Sequence, residues 1–198
     1  MVNEMHPYAT DSDERKIVPL YLAVLALVCA IGLSRLLDLI HWPGWIDTPA
    51  TMGMYGLLYE AFRRWCWRIP ILHTLRVVKV PILAGRWSGH VATSYDELNG
   101  QHPVEVEIVQ DWTQMLVKLK AHHSASVSLV GSIFVGSEIV LTYDYRNEPT
   151  PGATNTMHTH RGSATLRLNR ETGVLEGDYF SGRDRLNYGA ISLTRQAS

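Results

Sequence analysis

Residues 17–34 read IVPLYLAVLALVCAIGLS, an uninterrupted apolar run without a charged side chain. A run of about this length is what a helix needs to cross the hydrocarbon core of a bilayer. A buried helix of a soluble protein usually carries a polar stripe, and none occurs before Arg35. A cleaved signal peptide would begin with basic residues, whereas Glu4 and Asp11 lie upstream. The run therefore predicts a first transmembrane helix.

A second apolar segment follows at Thr48 to Phe62, TPATMGMYGLLYEAF, and it is shorter than a full span. It reaches the required length if Arg63 and Arg64 extend to the headgroups and Trp65 lies in the interfacial belt. We predict a second transmembrane helix here. An amphipathic helix lying in the membrane interface remains the alternative.

Basic residues flank the outer ends of the two segments and are absent from the turn HWPGWID between them. By the positive-inside rule, both ends of this hairpin face the cytoplasm. The predicted organisation is a cytosolic N-terminal tail (1–16), a two-helix anchor (17–69), a linker (70–82) and a cytosolic domain (83–198). We expect a two-pass membrane protein in contact with lipid, with its N-terminus and its C-terminal domain in the cytoplasm.

From Leu83 the apolar pattern changes from helical spacing to alternation, which is typical of strands. Turn residues such as Asn99-Gly100 and Thr172-Gly173 divide the region. The fold prediction is a membrane-anchored all-β protein with an eight-stranded antiparallel up-and-down, calycin-like barrel, large enough inside for one small ligand. The predicted strands cover 83–94, 104–110, 112–121, 124–134, 138–146, 158–169, 173–180 and 188–195.

Alternation also predicts which side chains face the interior. Charged residues such as Glu105, Glu107 and Glu176 should face water, which turns their apolar neighbours inward. The same parity places a polar and aromatic group inside, near one mouth: Tyr143, Tyr145, His158, His160 and Tyr179. Such a mouth above an apolar floor suits a ligand with flat rings and polar edges. Ordinary solvation of a barrel rim is the alternative.

The loop after residue 180 brings Arg183, Arg185 and Tyr188 next to this mouth in sequence. Guanidinium groups bind phosphate oxygens, and aromatic rings stack on bases. The loop is therefore a candidate site for phosphate and base. A solvated turn with local ion pairs is the competing interpretation.

Other functional classes lack support in the sequence. The net charge of −1, without a basic stripe, argues against DNA or RNA binding. His158 and His160 form at most half of a zinc site, because no third ligand can be named. No nucleophile elbow, P-loop, dinucleotide fingerprint or metalloprotease helix occurs, so we predict no enzyme, no metal and no cofactor.

Two positions resemble the lipocalin-like calycins. Gly85-x-Trp87 opens the first strand and Arg195 lies in the last. In that family a tryptophan closes the barrel floor and a late arginine packs over its ring, an arrangement that contributes about 1 kcal/mol. We interpret Trp87 as structural.

The whole chain resembles the two-transmembrane β-barrel effectors of CBASS, the bacterial cyclic-oligonucleotide-based antiphage signalling systems. The resemblance rests on the order of the parts and on PILAGRWSGHV, HRGSATLRLN, LEGDYFSGRDR and YGAISLTR. It implies a STING-like receptor. The barrel would bind a cyclic dinucleotide, and the helices would form a homo-oligomer that disrupts the inner membrane and kills the infected cell.

Two alternatives from other classes remain open at this point. A membrane-tethered calycin could bind lipid or another hydrophobe and have no signalling role. A structural module could use a filled barrel to bind a protein partner.

Overall fold

The computed structural model describes residues 4–39, 47–153, 158–182 and 186–196. The chain divides into two compact units. One comprises the residues up to Asp11 together with Val80 onward, and the other runs from Ser12 to Lys79. The helical unit is thus an insertion within the sheet unit along the chain.

Over its described residues, 12–39 and 47–79, the helical unit contains three α-helices: α1 (Glu14–Leu39), α2 (Asp47–Arg64) and α3 (Pro70–Thr74). A 3-10 turn at Cys66–Arg68 precedes α3. Pro70 is the first residue of α3, where its missing N–H costs no hydrogen bond. The stretch 70–82, predicted as a plain linker, therefore begins with a short helix.

Helix α1 has the features of a membrane span. Within the described residues, it is the one helix long and apolar enough to cross a bilayer, over the 23 residues Glu14–Leu36. Leu20, Val24 and Val28 expose 62%, 55% and 60% of their surface, unlike the side chains of a core helix. The opposite face buries Val18 and Ala26.

Helix α2 forms over the second predicted segment and packs against α1. At 18 residues it is long enough to be compared with α1, but with Asp47, Glu60, Arg63 and Arg64 it is not apolar enough to qualify as a candidate span. Its C-terminal end holds a charge cluster, in which Glu60 binds Arg63 at 2.7 Å and also binds Arg64. Two arginines at a helix C-terminus interact favourably with the helix dipole.

The sheet unit has nine strands within the described residues, one more than predicted. They are β1 (His6–Thr10), β2 (Gly85–Thr93), β3 (His102–Gln110), β4 (Gln114–Lys120), β5 (Ser124–Val135), β6 (Ile139–Pro149), β7 (His160–Leu168), β8 (Val174–Ser181) and β9 (Tyr188–Arg195).

The pairing order is β1-β4-β3-β2-β9-β8-β7-β6-β5, and β5 also pairs with β1 and β4, so the ladder returns to its start. All pairs are antiparallel except β1 with β5, where Tyr8 is opposite Gly131. The prediction of a purely antiparallel eight-stranded sheet is wrong in this respect. Residues 1–16 were predicted as a tail, but His6–Thr10 contributes a strand that bridges β4 and β5.

Burial confirms the predicted alternation. Val104, Val106 and Ile108 on β3 are buried, while Glu105 and Glu107 are exposed. The same holds along the sheet for the apolar residues Val117, Leu141, Ala164, Leu166, Leu175, Ile191 and Leu193. The sheet therefore encloses one continuous apolar core.

The predicted tryptophan and arginine pair is present at the core's closed end. Arg195 Cζ lies 5.7 Å from the centre of the Trp87 ring, which is 2% exposed. Trp87 Nε1 donates to Leu83 O at 3.0 Å, and the Arg195 guanidinium donates to Ala84 O. Because Trp87 is fully packed and hydrogen bonded, it is a structural residue.

Candidate functional site

The sheet is filled by side chains at one end and hollow at the other. The cavity measures about 470 Å³, within the range of small-molecule sites. It opens where β2 ends and β3 begins. Its lining comprises Val91, Thr93, Tyr95, His102, Pro103, Val104, Leu119, Ala121, His122, His123, Ser124, Ser126, Tyr143, Tyr145, Asn147, Gly152, Ala153, His160, Tyr179, Ser181, Asn187 and Ile191.

Strand β6 shows how the lining changes along the sheet axis. Its inward residues are Leu141 in the packed core, then Tyr143 and Tyr145, then Asn147. Successive inward positions are roughly 7 Å apart, because a strand rises about 3.4 Å per residue. The interior thus passes from an apolar floor through an aromatic level to a polar level at the mouth.

Glycines on neighbouring strands make room for two of the tyrosines. Tyr145 is opposite Gly162, where an added Cβ would lie 2.4 Å from Tyr145 Oη. Tyr179 is opposite Gly189, where an added Cβ would lie 2.7 Å from the Tyr179 ring. These close approaches let the rings lie against the wall of the sheet.

Tyr143 is the most buried of the strand tyrosines that line the cavity and is 3% exposed. Its ring centre is 6.3 Å from that of Tyr145, at an interplanar angle of 54°. Burial raises the pKa of Tyr143 above its ordinary value, and the neighbouring Tyr145 adds to this shift. Tyr143 therefore stays a neutral phenol that can donate a hydrogen bond to a ligand.

A polar row lies one step closer to the mouth. Ser126 on β5 is opposite Asn147 on β6, and Asn147 is opposite His160 on β7. The three are 7%, 7% and 8% exposed. We refer to Ser126, Asn147 and His160 as the polar row. Buried polar groups are rare in a sheet interior, and here they are adjacent on three strands.

The backbone defines the proton position on neutral His160. Its Nδ1 lies 2.9 Å from His158 O, and a carbonyl oxygen can only accept a hydrogen bond. Nδ1 therefore carries the hydrogen, and Nε2 of the neutral ring is an acceptor.

Within the described part of the wall, no Arg, Lys, Asp or Glu lines the cavity. The charge that this part of the wall can carry comes from imidazoles: His102, His122, His123 and His160. No group of three His, Cys, Asp or Glu side chains suitable for a metal ion occurs among the described residues. The cavity chemistry is therefore aromatic stacking and hydrogen bonding.

The structure brings Tyr143, Tyr145, His160 and Tyr179 together in this cavity. It does not bring His158 or Tyr188 there. His158 is exposed because β7 begins two residues later, so the alternation does not extend to it. Tyr188 is 60% exposed. It is the first residue of β9 and its side chain is on the outer face of the sheet. Arg183 and Arg185 lie outside the described residues.

Sequence analysis missed several cavity residues. Asn147 and Ser181 continue the inward parity of Tyr145 and Tyr179 by one step, so slightly longer strands would have included them. Ser126 was missed because its strand has polar residues on the inward positions. Tyr95 lies in a 3-10 turn after β2, where strand parity gives no information.

Comparisons with known proteins agree with this architecture. The family model described as Cap15, cyclic dinucleotide receptor domain, matches residues 78–195, which include β2 to β9 and the cavity. A protein of Yersinia aleksiciae named CD-NTase-associated protein 15 is 34% identical over 147 residues, covering 72% of this chain and 68% of that protein. These matches confirm the resemblance seen in the sequence, to cyclic dinucleotide-sensing effectors of CBASS. The chain belongs to the Cap15 cyclic dinucleotide receptor family.

Proposed function

We propose that a cyclic dinucleotide enters the hollow end of a calycin-like barrel and drives oligomerisation of two transmembrane helices, which disrupts the inner membrane. The observation that carries the proposal is the cavity of about 470 Å³ with an aromatic level and a polar mouth. It belongs to a chain that also has a helix of membrane-spanning length. This function requires binding and assembly but no catalysis.

The lining supports a ligand with bases. Tyr143, Tyr145 and Tyr179 offer ring faces or edges, and each stacked base contributes about 1–3 kcal/mol. Arg183 and Arg185 lie between β8 and β9, whose ends border the cavity through Ser181 and Asn187. In our proposal these two arginines bind the phosphates.

The polar lining at the cavity mouth favours a ligand with hydrogen-bonding groups over the alternative of a lipid or hydrophobe. An alkyl chain seated there would displace water from a polar wall and offer no hydrogen bond in return. The edges of nucleobases do offer such hydrogen bonds.

Chain topology supports two membrane crossings. Strands β1 and β2 belong to one sheet, so both ends of the helical insertion are on the same side of any bilayer it enters. A segment that starts and ends on one side crosses an even number of times. If α1 spans, α2 supplies the return, with Arg63 and Arg64 at the cytoplasmic boundary.

Both ends of the helical insertion also meet each other. Glu14, at the start of α1, is 2% exposed and accepts hydrogen bonds from Ser12 Oγ and from the backbone N–H of Lys79. Lys79 is the residue before the sheet unit resumes. In our proposal, ligand binding favours the assembled state over the unassembled one, and that difference in affinity shifts the population.

The test uses the full chain in detergent micelles and in liposomes. A panel of cyclic dinucleotides is screened by thermal shift, where saturation at a hundred times Kd adds roughly 2.7 kcal/mol of stability. The ligand that binds should also raise the oligomer size and release a dye from the liposomes. Absence of binding across the panel would contradict the proposed ligand class. Binding without assembly would contradict ligand-driven oligomerisation, and assembly without leakage would contradict membrane disruption.

Matched variants locate the binding site. Tyr179→Leu should weaken ligand binding at least tenfold, whereas Tyr188→Leu should leave it unchanged, because Tyr188 lies outside the cavity. Arg183→Ala with Arg185→Ala should weaken binding while the protein stays folded. Unchanged affinity in calorimetry would remove the arginines from the site.

A further inference from the structure

The hydroxyl of Tyr143 belongs to a buried side chain and has no hydrogen-bond partner. Tyr143 is 3% exposed, and among the described contacts its Oη neither donates nor accepts a hydrogen bond. Buried polar groups in proteins are nearly always hydrogen bonded, so an unpaired one calls for an explanation. The residues opposite Tyr143 on the neighbouring strands offer it no partner, because Gly131 and Ala164 have no polar side-chain atom.

This hydroxyl borders the cavity. Tyr143 is part of the cavity lining and occupies an inward position of β6. The described polar atoms that are both sealed off and unpaired include Trp67 Nε1 but not Tyr143 Oη, so this oxygen keeps some open surface. Because Tyr143 points inward, that open surface belongs to the cavity. A ligand that fills the cavity therefore meets an unpaired hydroxyl.

The hydroxyl is a donor. Burial raises the pKa of Tyr143, so the phenol keeps its proton at neutral pH. Its O–H can donate to a ring nitrogen, to a carbonyl oxygen or to a phosphate oxygen. A cyclic dinucleotide carries acceptors of both kinds, on its bases and on its phosphates. The surroundings of Tyr143 decide between them.

The inner end of the cavity is unsuited to a phosphate. Tyr143 lies two inward steps, roughly 14 Å along β6, from Asn147 at the mouth. The residues that follow it in register around the sheet, Ala164 and Tyr179 on one side and Gly131 on the other, carry no charge. A phosphate at this level would be removed from water without a counter-charge, which is very costly. A neutral base avoids that cost.

Groups that can balance a phosphate lie at the other end of the cavity. In the described wall they include the imidazoles of His122 and His123, in the turn between β4 and β5, and of His160, the first residue of β7. The phosphates of a cyclic dinucleotide belong to the central ring that joins its two nucleosides. One base can therefore enter the cavity while the phosphates stay at the mouth.

Building on the proposed function, we propose that one base of the cyclic dinucleotide occupies the inner end of the cavity and accepts a hydrogen bond from Tyr143 Oη, while the phosphates stay at the mouth. The acceptor is a ring nitrogen or a carbonyl oxygen, which every nucleobase has. Tyr143 thus sets the depth and the direction of the ligand, and the second base remains at or beyond the mouth.

The first experiment removes one oxygen atom. Full-length protein in detergent is titrated by calorimetry with cyclic di-AMP, cyclic di-GMP and cyclic di-UMP, and the tightest of the three is used thereafter. Tyr143→Phe should weaken its binding about threefold to tenfold, the net size of one hydrogen bond. Tyr188→Phe is the matched control, because it removes the same atom from a residue outside the cavity, and it should bind like the unmodified protein.

The second experiment identifies the part of the ligand that Tyr143 contacts. The full chain is labelled with ¹³C in its tyrosine rings, and the resonance that disappears in Tyr143→Phe identifies Tyr143. In the complex, nuclear Overhauser effects should connect the Tyr143 ring to base protons of the ligand. The ³¹P resonances of the bound ligand should be the same in Tyr143→Phe as in the unmodified protein.

The outcomes distinguish this inference from the proposed function. If the unmodified protein binds none of the three cyclic dinucleotides, the proposed function itself fails. If it binds and Tyr143→Phe has unchanged affinity, or if Tyr143 contacts only sugar protons and its substitution shifts the ³¹P resonances, the proposed orientation is wrong. Melting temperatures of both variants show whether a loss of binding reflects a loss of folding.

Discussion

At the scale of single residues, the buried Tyr143 in the aromatic level of the cavity has a shifted pKa, and the effect of this shift on stability can be measured. Burial raises the pKa of Tyr143. At pH values just above the ordinary tyrosine pKa, the folded protein therefore keeps the phenol proton that the unfolded chain has lost. The contribution to stability is complete below the ordinary tyrosine pKa of about 10 and is lost as pH rises above it.

Tyr143→Phe tests this effect. The free energy of unfolding of the unmodified protein should fall with pH above about 10, and that of Tyr143→Phe should fall less steeply, because one titrating group has been removed. Denaturant unfolding between pH 8 and pH 11 measures both slopes. Equal slopes would mean that Tyr143 is not shielded from solvent.

Residue-scale prediction from sequence succeeded where a strand was already established. Tyr143 and Tyr145 follow the parity of Leu141 and are buried. His158 failed because parity was extended beyond the start of β7, to a residue outside the ladder of hydrogen bonds. Alternation has meaning only where pairing constrains the backbone, and the sequence does not mark that end.

At the scale of elements, two glycine-containing strands shape the aromatic level. Gly162 on β7 is opposite Tyr145 on the adjacent strand β6. Gly189 on β9 is opposite Tyr179 on the adjacent strand β8. At Gly162, an added Cβ would lie 2.4 Å from both the Tyr145 hydroxyl oxygen and Phe180 O. The position tolerates no side chain without a shift of the ring or of the backbone.

Gly162→Ala should therefore destabilise the protein by about 1–3 kcal/mol and weaken ligand binding, since the Tyr145 ring would be pushed into the cavity. Gly136→Ala is the control, because an added Cβ there comes no closer than 4.0 Å to another residue and Gly136 does not line the cavity. Denaturant unfolding and calorimetry measure the two effects. A Gly162→Ala protein with unchanged stability and affinity would show that Gly162 is not needed to make room for the Tyr145 ring.

The role of α2 also belongs to this scale. In the proposed two-pass topology, residues 40–46 of the sequence should be on the periplasmic side of the membrane. His41→Cys, in a background with Cys29 and Cys66 replaced by Ser, should react with an impermeant maleimide on intact spheroplasts. Thr10→Cys in the same background should react only after permeabilisation, and labelling of both from one side would exclude the two-pass hairpin.

Elements differed in how far the sequence revealed them. Most strands from residue 83 onward were found because they carry their own alternation and are bounded by turn residues, although β4 buries Met115, Leu116 and Val117 in succession. Strand β1 was missed because HPYAT is five residues long and contains a proline. Its pairing depends on partners more than 100 residues away, such as Met115 and Gly131, which no local pattern records.

At the scale of the whole molecule, β1 connects the two ends of the sheet unit. Tyr8 is 2% exposed, its hydroxyl donates to Trp112 O at 2.8 Å, and its backbone pairs with β5. Asp11 then accepts from the backbone N–H of Val135 at 2.8 Å. These contacts hold β1, which precedes the helices in sequence, within a sheet whose other strands follow the helices in sequence.

Deleting residues 2–11 should lower the melting temperature of the full chain and weaken ligand binding, because β4 and β5 lose the strand that pairs with both. Tyr8→Ala should reproduce most of the loss, at about 3–5 kcal/mol for a buried aromatic side chain. Tyr21→Ala, at an exposed position of α1, is the control. A deletion variant as stable as the full chain would show that β1 contributes little.

The position of β1 has a consequence for biogenesis. The ribosome makes His6–Thr10 before the helices, and their partners in β4 and β5 come more than 100 residues later. In the proposed two-pass topology, the strand must therefore stay unpaired on the cytosolic side while the hydrophobic segments insert into the membrane. In that topology, a nascent chain that translocated β1 would lose one strand of the sheet, so correct insertion would be a condition for completing the sheet.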